Sequence, residues 1–262
     1  MHPDRLRRQG SMEGKNMKDV ALKIKSNICI APTVYKMVLC GDTSDITAPG
    51  QFVNFKLDGL YLRRPISVCD YSDDTLTVIY KVVGEGTEQM SRMREGEEIL
   101  TLTGLGNGYN TEKSGDAPLL LGGGVGIPPM YNLAKKLISE GKHVKVVLGF
   151  NKAEEIFYED EFNALGCETY VCTADGSYGI RGFVTTAMES LNYSYFYTCG
   201  PLPMFKAINR VAKTSGQLSF EERMGCGFGA CMGCSCKTIT GYKRICKDGP
   251  VLEREEILWE QI

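Results

Sequence analysis

Between Val20 and Thr103 the chain sets apolar against polar positions in short runs, VALKIKSNICI, TVYKMVLC, GQFVNFKL, YLRRPISVCD, TLTVIYKVV and EEILTLTG, separated by Gly, Pro, Asp and Ser. Such alternation suits strands buried on one face, and the breaker residues mark the turns between them. Several strands at this spacing predict a small antiparallel β-barrel. After Asp116 the pattern changes to APLLLGG, PPMYNLAKKLISEG, HVKVVLGF, EEIFYEDEFNALG, ETYVCTAD, GFVTTAMESL, YSYFYTCG and PLPMFKAINRVAK. Strand-length apolar runs now alternate with amphipathic helical segments, which predicts a parallel sheet covered by helices on both faces.

The chain therefore reads as an α+β and α/β multidomain protein: a β-barrel over 17–112, an α/β nucleotide domain over 113–218 and a small cysteine-bearing domain over 219–262. Residues 1–16, MHPDRLRRQGSMEGKN, are polar and basic with no apolar periodicity, and a second start-like methionine follows at Met17. They read as a disordered extension or an upstream start. A mitochondrial presequence would explain Arg5, Arg7 and Arg8, but Asp4 and Glu13 interrupt it and no apolar face is visible.

The length of 262 residues and 43% hydrophobic content suit a soluble chain with a sizeable core. A formal net charge of -2 gives no reason to expect nucleic acid or an anionic membrane as partner, and no apolar run approaches membrane-spanning length. Eleven cysteines without a secretory signal fit a reducing cytoplasm, where thiols stay free for metal.

The turn after the first strand of the second region is Gly122-Gly123-Gly124-Val125-Gly126-Ile127-Pro128-Pro129. Glycines let backbone amides approach a pyrophosphate at the positive end of the next helix, and proline suits a first helical position. Ile127 stands where the last glycine of G-x-G-x-x-G would be, so a tight strand-to-helix turn is the competing reading. In the front region, Arg64-Pro65-Ile66-Ser67, Ile79-Tyr80-Lys81 and Gly84-Glu85-Gly86-Thr87 offer a guanidinium, two hydroxyls and amides to a pyrophosphate, with Tyr80 able to stack on a flat ring. A solvated Arg64 and a core Tyr80 are the plainer alternatives.

Cys226, Cys231, Cys234 and Cys246 stand as C-x4-C-x2-C-x11-C, the plant-type spacing for a two-iron, two-sulfur (2Fe-2S) cluster, which needs four soft thiolates. Gly225, Gly227, Gly229 and Gly233 supply a loop whose amides can approach the sulfurs. A structural zinc would favour two C-x2-C knuckles and here there is one. A Rieske centre needs two histidine ligands, whereas the chain has only His2 and His143, far from the cysteines in sequence. Cys29, Cys40, Cys69, Cys167 and Cys172 read as buried free thiols, and Cys236 as a spare thiol or an alternative ligand.

Taken in order, PGQF at Pro49 to Phe52, RPIS at Arg64 to Ser67, the Gly86-Thr87 turn, GGGVGIPP and Cys199-Gly200-Pro201 resemble the ferredoxin reductase family of flavoproteins. With SFEERMGCGFGACMGCSCKT and YKRICKDGPVL added, the chain is similar to one branch of it, the electron-transfer subunits of NAD-linked (type B) bacterial dihydroorotate dehydrogenases. The resemblance covers roughly Met17 to the C-terminus. It implies FAD on Arg64, Pro65, Ile66, Ser67, Ile79, Tyr80, Lys81, Gly86 and Thr87. It implies NAD on Gly122, Gly123, Gly124, Val125, Gly126, Cys199, Gly200 and Pro201, and a 2Fe-2S cluster on Cys226, Cys231, Cys234 and Cys246.

The resemblance also implies a catalytic partner subunit holding FMN, in a heterotetramer with two copies of each chain, that oxidises dihydroorotate during pyrimidine biosynthesis. Electrons from the partner would cross the cluster singly, collect on FAD and leave as hydride to NAD. No residue is assigned as acid or base. Cys199 packs near the nicotinamide in this reading, or is an inert buried thiol. The segments NKAEEIFYEDEF and TADGSYG offer acids to the adenine ribose, favouring NAD over NADP unless Lys152 or Arg181 reaches the 2′-phosphate. The rival readings are a reductase subunit of a hydrogenase or ferredoxin-linked transhydrogenase, and a non-enzymatic metal or redox sensor.

Overall fold

The computed structural model of the protein describes residues 17–262; the extension expected over 1–16 lies outside the described residues. Strands β1 (Lys18–Ala31), β2 (Val34–Cys40), β3 (Phe52–Lys56), β4 (Arg64–Tyr71), β5 (Thr75–Lys81) and β6 (Glu98–Leu105) close an antiparallel barrel in the order β1-β2-β5-β4-β3-β6. The alternation does what it promises: in β1, Val20, Leu22 and Ile24 point into a core shared with Val53, Phe55 and Val78, while their neighbours face solvent. Between β5 and β6 lies α1 (Glu85–Arg92), which buries Met90 in the barrel. Asn27 Nδ2 donates to the carbonyls of Met90 (2.8 Å) and Met93 (3.0 Å), satisfying groups that a helix end leaves open.

The second region runs β7 (Leu119–Gly123), α2 (Pro128–Ser139), β8 (Lys145–Phe150), α3 (Glu159–Ala164), β9 (Glu168–Thr173), β10 (Ile180–Arg181), α4 (Val184–Ser190), β11 (Phe196–Cys199), α5 (Leu202–Val211) and β12 (Gly216–Ser219). Then come β13 (Ser235–Thr238), β14 (Gly241–Arg244), α6 (Ile245–Asp248) and β15 (Val251–Glu253). The sheet order is β10-β9-β8-β7-β11-β12-β15, parallel throughout except for β15, which pairs antiparallel with β12. The order reverses beside β7, and at such a switch point the carboxyl ends of adjacent strands leave a crevice for a ligand.

Each face of this sheet carries its own core. Leu120, Leu133, Val146 and Tyr197 pack on one face together with Ala31, Val34 and Ile79 of the barrel. Leu121, Phe205 and Leu218 pack on the other with Phe52, Leu105, Cys234 and Cys246. The cysteine-bearing tail is thus packed against both larger units, and β15 covers the edge that β12 would otherwise leave open. Asp70 at the end of β4 ties barrel to helix α2, accepting from Asn132 Nδ2 (2.9 Å) and Lys135 Nζ (2.7 Å).

Two expected elements differ. The helix read over EEIFYEDEFNALG shrinks to α3, because Phe157 and Tyr158 are drawn into the core and Tyr158 takes a positive φ of 69° ahead of the helix. Helix α1 lies where a glycine-bearing turn is expected.

Candidate functional site

The ladder between β4 and β5 stops at the pair Val68 and Val78. Beyond it, Arg64 to Ser67 pair with β3 alone and Ile79 to Lys81 with β2 alone, so the facing edges of these two segments carry no strand partner. Both segments expected to hold FAD therefore border one notch in the barrel wall. The Arg64 guanidinium crosses the first turn of α1, where a Cβ on Gly86 would fall 2.1 Å from Arg64 Nε. A guanidinium beside a helix N-terminus is a donor set that fits a pyrophosphate.

Side chains refine this picture. The Tyr80 ring is 2% exposed inside the barrel, lies 5.9 Å from Tyr35, and its hydroxyl donates to Asn27 Oδ1 at 3.0 Å. It therefore cannot stack on a flavin, because the period-two alternation turns it inward while Lys81 faces out. Ile79 likewise lies in the core between barrel and sheet, so it and Tyr80 border the notch through their backbone. The Thr87 hydroxyl closes the turn into α1, accepting from the Val83 amide (2.9 Å) and donating to the Gly84 carbonyl (3.0 Å), rather than standing free for a phosphate.

At the switch point a cleft of about 530 Å³ opens between barrel and sheet. Lys81 lines it from the barrel; Gly123, Gly124, Val125 and Gly126 line it from the turn after β7, and Gly200 and Pro201 from the turn after β11. Gly122 sits beneath, against Ile127, and Pro128 takes the first helical position of α2 as expected. The two turns touch: a Cβ on Gly126 would fall 2.2 Å from the Cys199 carbonyl oxygen. Gly124, with φ of 52°, would meet nothing within 4 Å, so this backbone is open for close approach by a ligand. Cys199 itself is fully buried, and burial holds its thiol far above the ordinary range, so it packs the site as a neutral group.

Glu155 lines the cleft and accepts from the Asn151 amide (3.1 Å) and Asn151 Nδ2 (3.0 Å). Lys152 pairs with Glu154 instead, and Arg181 lies against the Gly176 turn. Two of the lining residues outside the expected sites bring chemistry of their own. Phe183, 69% exposed, offers a ring at the mouth, and Glu221 opens both onto this cleft and onto a second cavity of about 360 Å³ beside the tail. Glu221 is exposed at its edge, but partial loss of hydration between the two cavities raises its carboxyl above the ordinary range. Phe183 stands in no glycine or cysteine motif and Glu221 only in the SFEER run ahead of the cysteines, and the fold brings both to the cleft.

The four cysteines group as two pairs. Cys226 Sγ accepts from the Ala230 (3.2 Å) and Cys231 (3.4 Å) amides, and Cys234 Sγ from the Cys246 amide (3.4 Å). Burial works against a charge on Cys226, but the amides of Cys231 and Phe228, the Cys231 thiol and the Ala230 amide outweigh it and bring the thiol down to about 6. Burial, then the Cys234 thiol, pushes Cys246 up. Among the described residues no three potential ligands converge on one point. Two thiol pairs with amides aimed at sulfur fit two bridged irons better than a single tetrahedral centre. Cys236 stands apart, lining the second cavity. Arg244 braces the loop by donating to the Gly229 carbonyl (3.0 Å) while paired with Asp248.

A notched barrel, a nucleotide cleft at a switch point and a cysteine-rich tail define an oxidoreductase of the ferredoxin-reductase fold. Residues 120–210 match the oxidoreductase NAD-binding domain, and residues 221–258 match the iron-sulfur cluster binding domain of dihydroorotate dehydrogenase B. The dihydroorotate dehydrogenase B (NAD(+)) electron transfer subunit of Bacillus velezensis is 44% identical, covering 92% of this chain and 99% of its own. That of Fusobacterium nucleatum is 43% identical, covering 90% and 96%. The chain belongs to this family of electron transfer subunits. Among solved structures, an NADH-dependent reduced ferredoxin-NADP oxidoreductase superposes with a TM-score of 0.82 at 30% identity, covering 95% of this chain and 92% of that one. A ferredoxin NADP+ reductase from Neisseria gonorrhoeae shares the fold at a TM-score of 0.66 and 18% identity, covering 79% and 100%. Among the described residues no helix is long and apolar enough to cross a membrane.

Proposed function

We propose that this chain takes electrons from an FMN-bearing catalytic subunit that oxidises dihydroorotate and delivers them to NAD+, in a cytoplasmic heterotetramer with two copies of each subunit serving pyrimidine biosynthesis. The observation that carries this reading is the line-up of three sites on one chain: the Cys226–Gly227 turn lies against β3, β3 pairs with Arg64 to Ser67, and Lys81 across the notch opens on the nucleotide cleft. FAD and a 2Fe-2S cluster, when bound, supply the exchange between hydride pairs and single electrons.

The chain's own residues hold and orient. Arg64, Pro65, Ile66, Ser67, the backbone of Ile79 to Lys81 and the Gly86-Thr87 turn bind the flavin nucleotide. Gly122 to Gly126 and Cys199 to Pro201 shape the NAD site, with Glu155 disfavouring a 2′-phosphate. Cys226, Cys231, Cys234 and Cys246 ligate the irons. The working division is 17–112 for FAD, 113–218 for NAD and 219–262 for the cluster. The loop Gly225 to Gly233, with Phe228 (41%) and Met232 (53%) exposed, faces the partner.

Anaerobically purified protein should be brown-yellow, and NADH should bleach its flavin much faster than NADPH. Cys231→Ser should remove cluster absorption and leave flavin in place; loss of flavin with an intact cluster would contradict the assignment. The ferredoxin-linked transhydrogenase reading has in its favour the ferredoxin-NADP oxidoreductase neighbour at 30% identity, below the 44% of the dihydroorotate relatives, and mixing with either partner decides between them; no observation favours the hydrogenase reading. The sensor reading gives no account of the nucleotide cleft.

A further inference from the structure

Asn54 sits in the middle of β3 and is 1% exposed. Successive strand residues face opposite ways. Val53 and Phe55 point into the barrel core, whereas Phe52, on Asn54's side, packs in the core that contains Cys234 and Cys246. The Asn54 carboxamide therefore lies outside the barrel, beneath the cysteine-bearing tail. A Cβ on Gly227, which has a φ of 80°, would fall 2.3 Å from Asn54 Nδ2, so the turn after Cys226 rests directly on this amide. The register partner of Asn54 on β4 is Pro65, within the segment proposed to hold FAD. Asn54 Oδ1 is fully enclosed and has no hydrogen-bond partner among the described residues.

Resting on the electron-carrier reading above, we propose that Asn54 is a positioning residue for electron exchange between cluster and flavin. Its carboxamide bridges the Cys226–Gly227 turn and the flavin strand. An asparagine side chain offers two donors and an acceptor. Thiolate and sulfide sulfurs only accept, which suits Nδ2 on the loop side. Oδ1 needs a donor, and the turn that rests on this amide carries backbone N–H groups. Buried polar atoms find partners in folded proteins, so an enclosed, unmatched Oδ1 beneath the Cys226–Gly227 turn marks a contact that the turn completes once its cysteines hold the cluster. No bond forms or breaks; the amide fixes how the two carriers sit, and a hydrogen bond toward sulfur tunes the cluster.

The test uses full-length protein loaded anaerobically with flavin and cluster. Asn54→Leu keeps the volume and removes donors and acceptor; Asn54→Asp keeps the shape and replaces the donors with negative charge. The readouts are the electron paramagnetic resonance spectrum of the dithionite-reduced cluster and the ratio of cluster to flavin bleaching rates on mixing with NADH. Both variants should shift the spectrum, and Asn54→Leu should lower the ratio at least ten-fold. A wild-type spectrum with a ratio within two-fold of wild type overturns the proposal. If Asn54→Leu loses its cluster, Asn54→Asp decides on the same readouts. Loss of the cluster from both, with flavin retained, also overturns it, since Asn54 would then be a prop of the loop alone. Wild-type protein that takes up no flavin or no cluster would instead sink the carrier reading itself.

Discussion

At the scale of the residue, two glycines of one turn answer to different demands. Gly126 is fixed by packing: its Cβ would strike the Cys199 carbonyl at 2.2 Å, and backbone cannot swing aside as a flexible side chain can. Gly126→Ala should cost about 1–3 kcal/mol of stability, read as a lower melting temperature. Gly124 has room but a φ of 52°, so Gly124→Ala should cost only about 1 kcal/mol while weakening NADH binding more than stability, because the new methyl enters the cleft. A titration of NADH into both variants separates the two cases. Glu221 supplies a pH test. The residue is exposed at its edge, but lost hydration where it borders the two cavities raises its pKa in the folded chain, so the folded state holds this proton more tightly than the unfolded state. Its contribution to stability is therefore most favourable below the ordinary carboxyl value of 4.5 and declines as pH rises from there toward the raised folded value. Glu221→Gln does not titrate, so its melting temperature relative to wild type should climb through that window and then level off; a difference that stays flat with pH would contradict the hydration argument.

At the scale of the element, the tail is part of the larger sheet. Leu252 of β15 is 1% exposed and packs in the same core as Phe205, Leu218 and Cys246, so Leu252→Ala should cost about 2–5 kcal/mol. Because β15 pairs with β12, cluster bleaching and sheet unfolding should move together on heating; two separate transitions would show an independent tail. This is the part of the fold the sequence conceals. β1 is legible because its alternation is long, whereas β3, buried at four positions in a row, and β4 are legible only from the breaker residues around them. β12 is a four-residue strand, GQLS, buried at every position, and β15 has three residues, so neither shows a period. α1 hides behind Gly86, which its contact with Arg64 demands. The candidate site divides the same way. Glycine and cysteine motifs announce themselves, while the inward turn of Tyr80, the capping role of the Thr87 hydroxyl and the arrival of Asn54 and Glu221 depend on register and long-range packing.

At the scale of the whole molecule, barrel, sheet and tail share cores, so the three proposed carrier sites keep a fixed relation to one another. The Asp70–Lys135 contact pins α2 to the barrel, and Asn107 fastens the barrel's end to the tail, donating from its side chain to the Asp248 carbonyl at 2.8 Å. Among the described residues, none is assigned in this reading to take a proton from carbon. Of the ionisable side chains in the nucleotide cleft, Glu155 is engaged with Asn151, while Lys81 and Glu221 flank the turns that shape the nucleotide site. A substrate oxidised by removal of hydride and proton needs a base within hydrogen-bond reach of that proton, and here the cleft is matched to a dinucleotide. The isolated chain should therefore pass electrons from NADH to ferricyanide or a dye, yet leave dihydroorotate untouched. Adding the FMN-bearing partner should produce NADH from dihydroorotate and NAD+, and the Cys231→Ser protein should fail in that coupled assay while retaining NADH-dependent flavin bleaching. Dihydroorotate oxidation by the chain alone, or full coupled activity from the cluster-free variant, would require a route that does not use the Cys226 to Cys246 segment, and the relay would have to be abandoned.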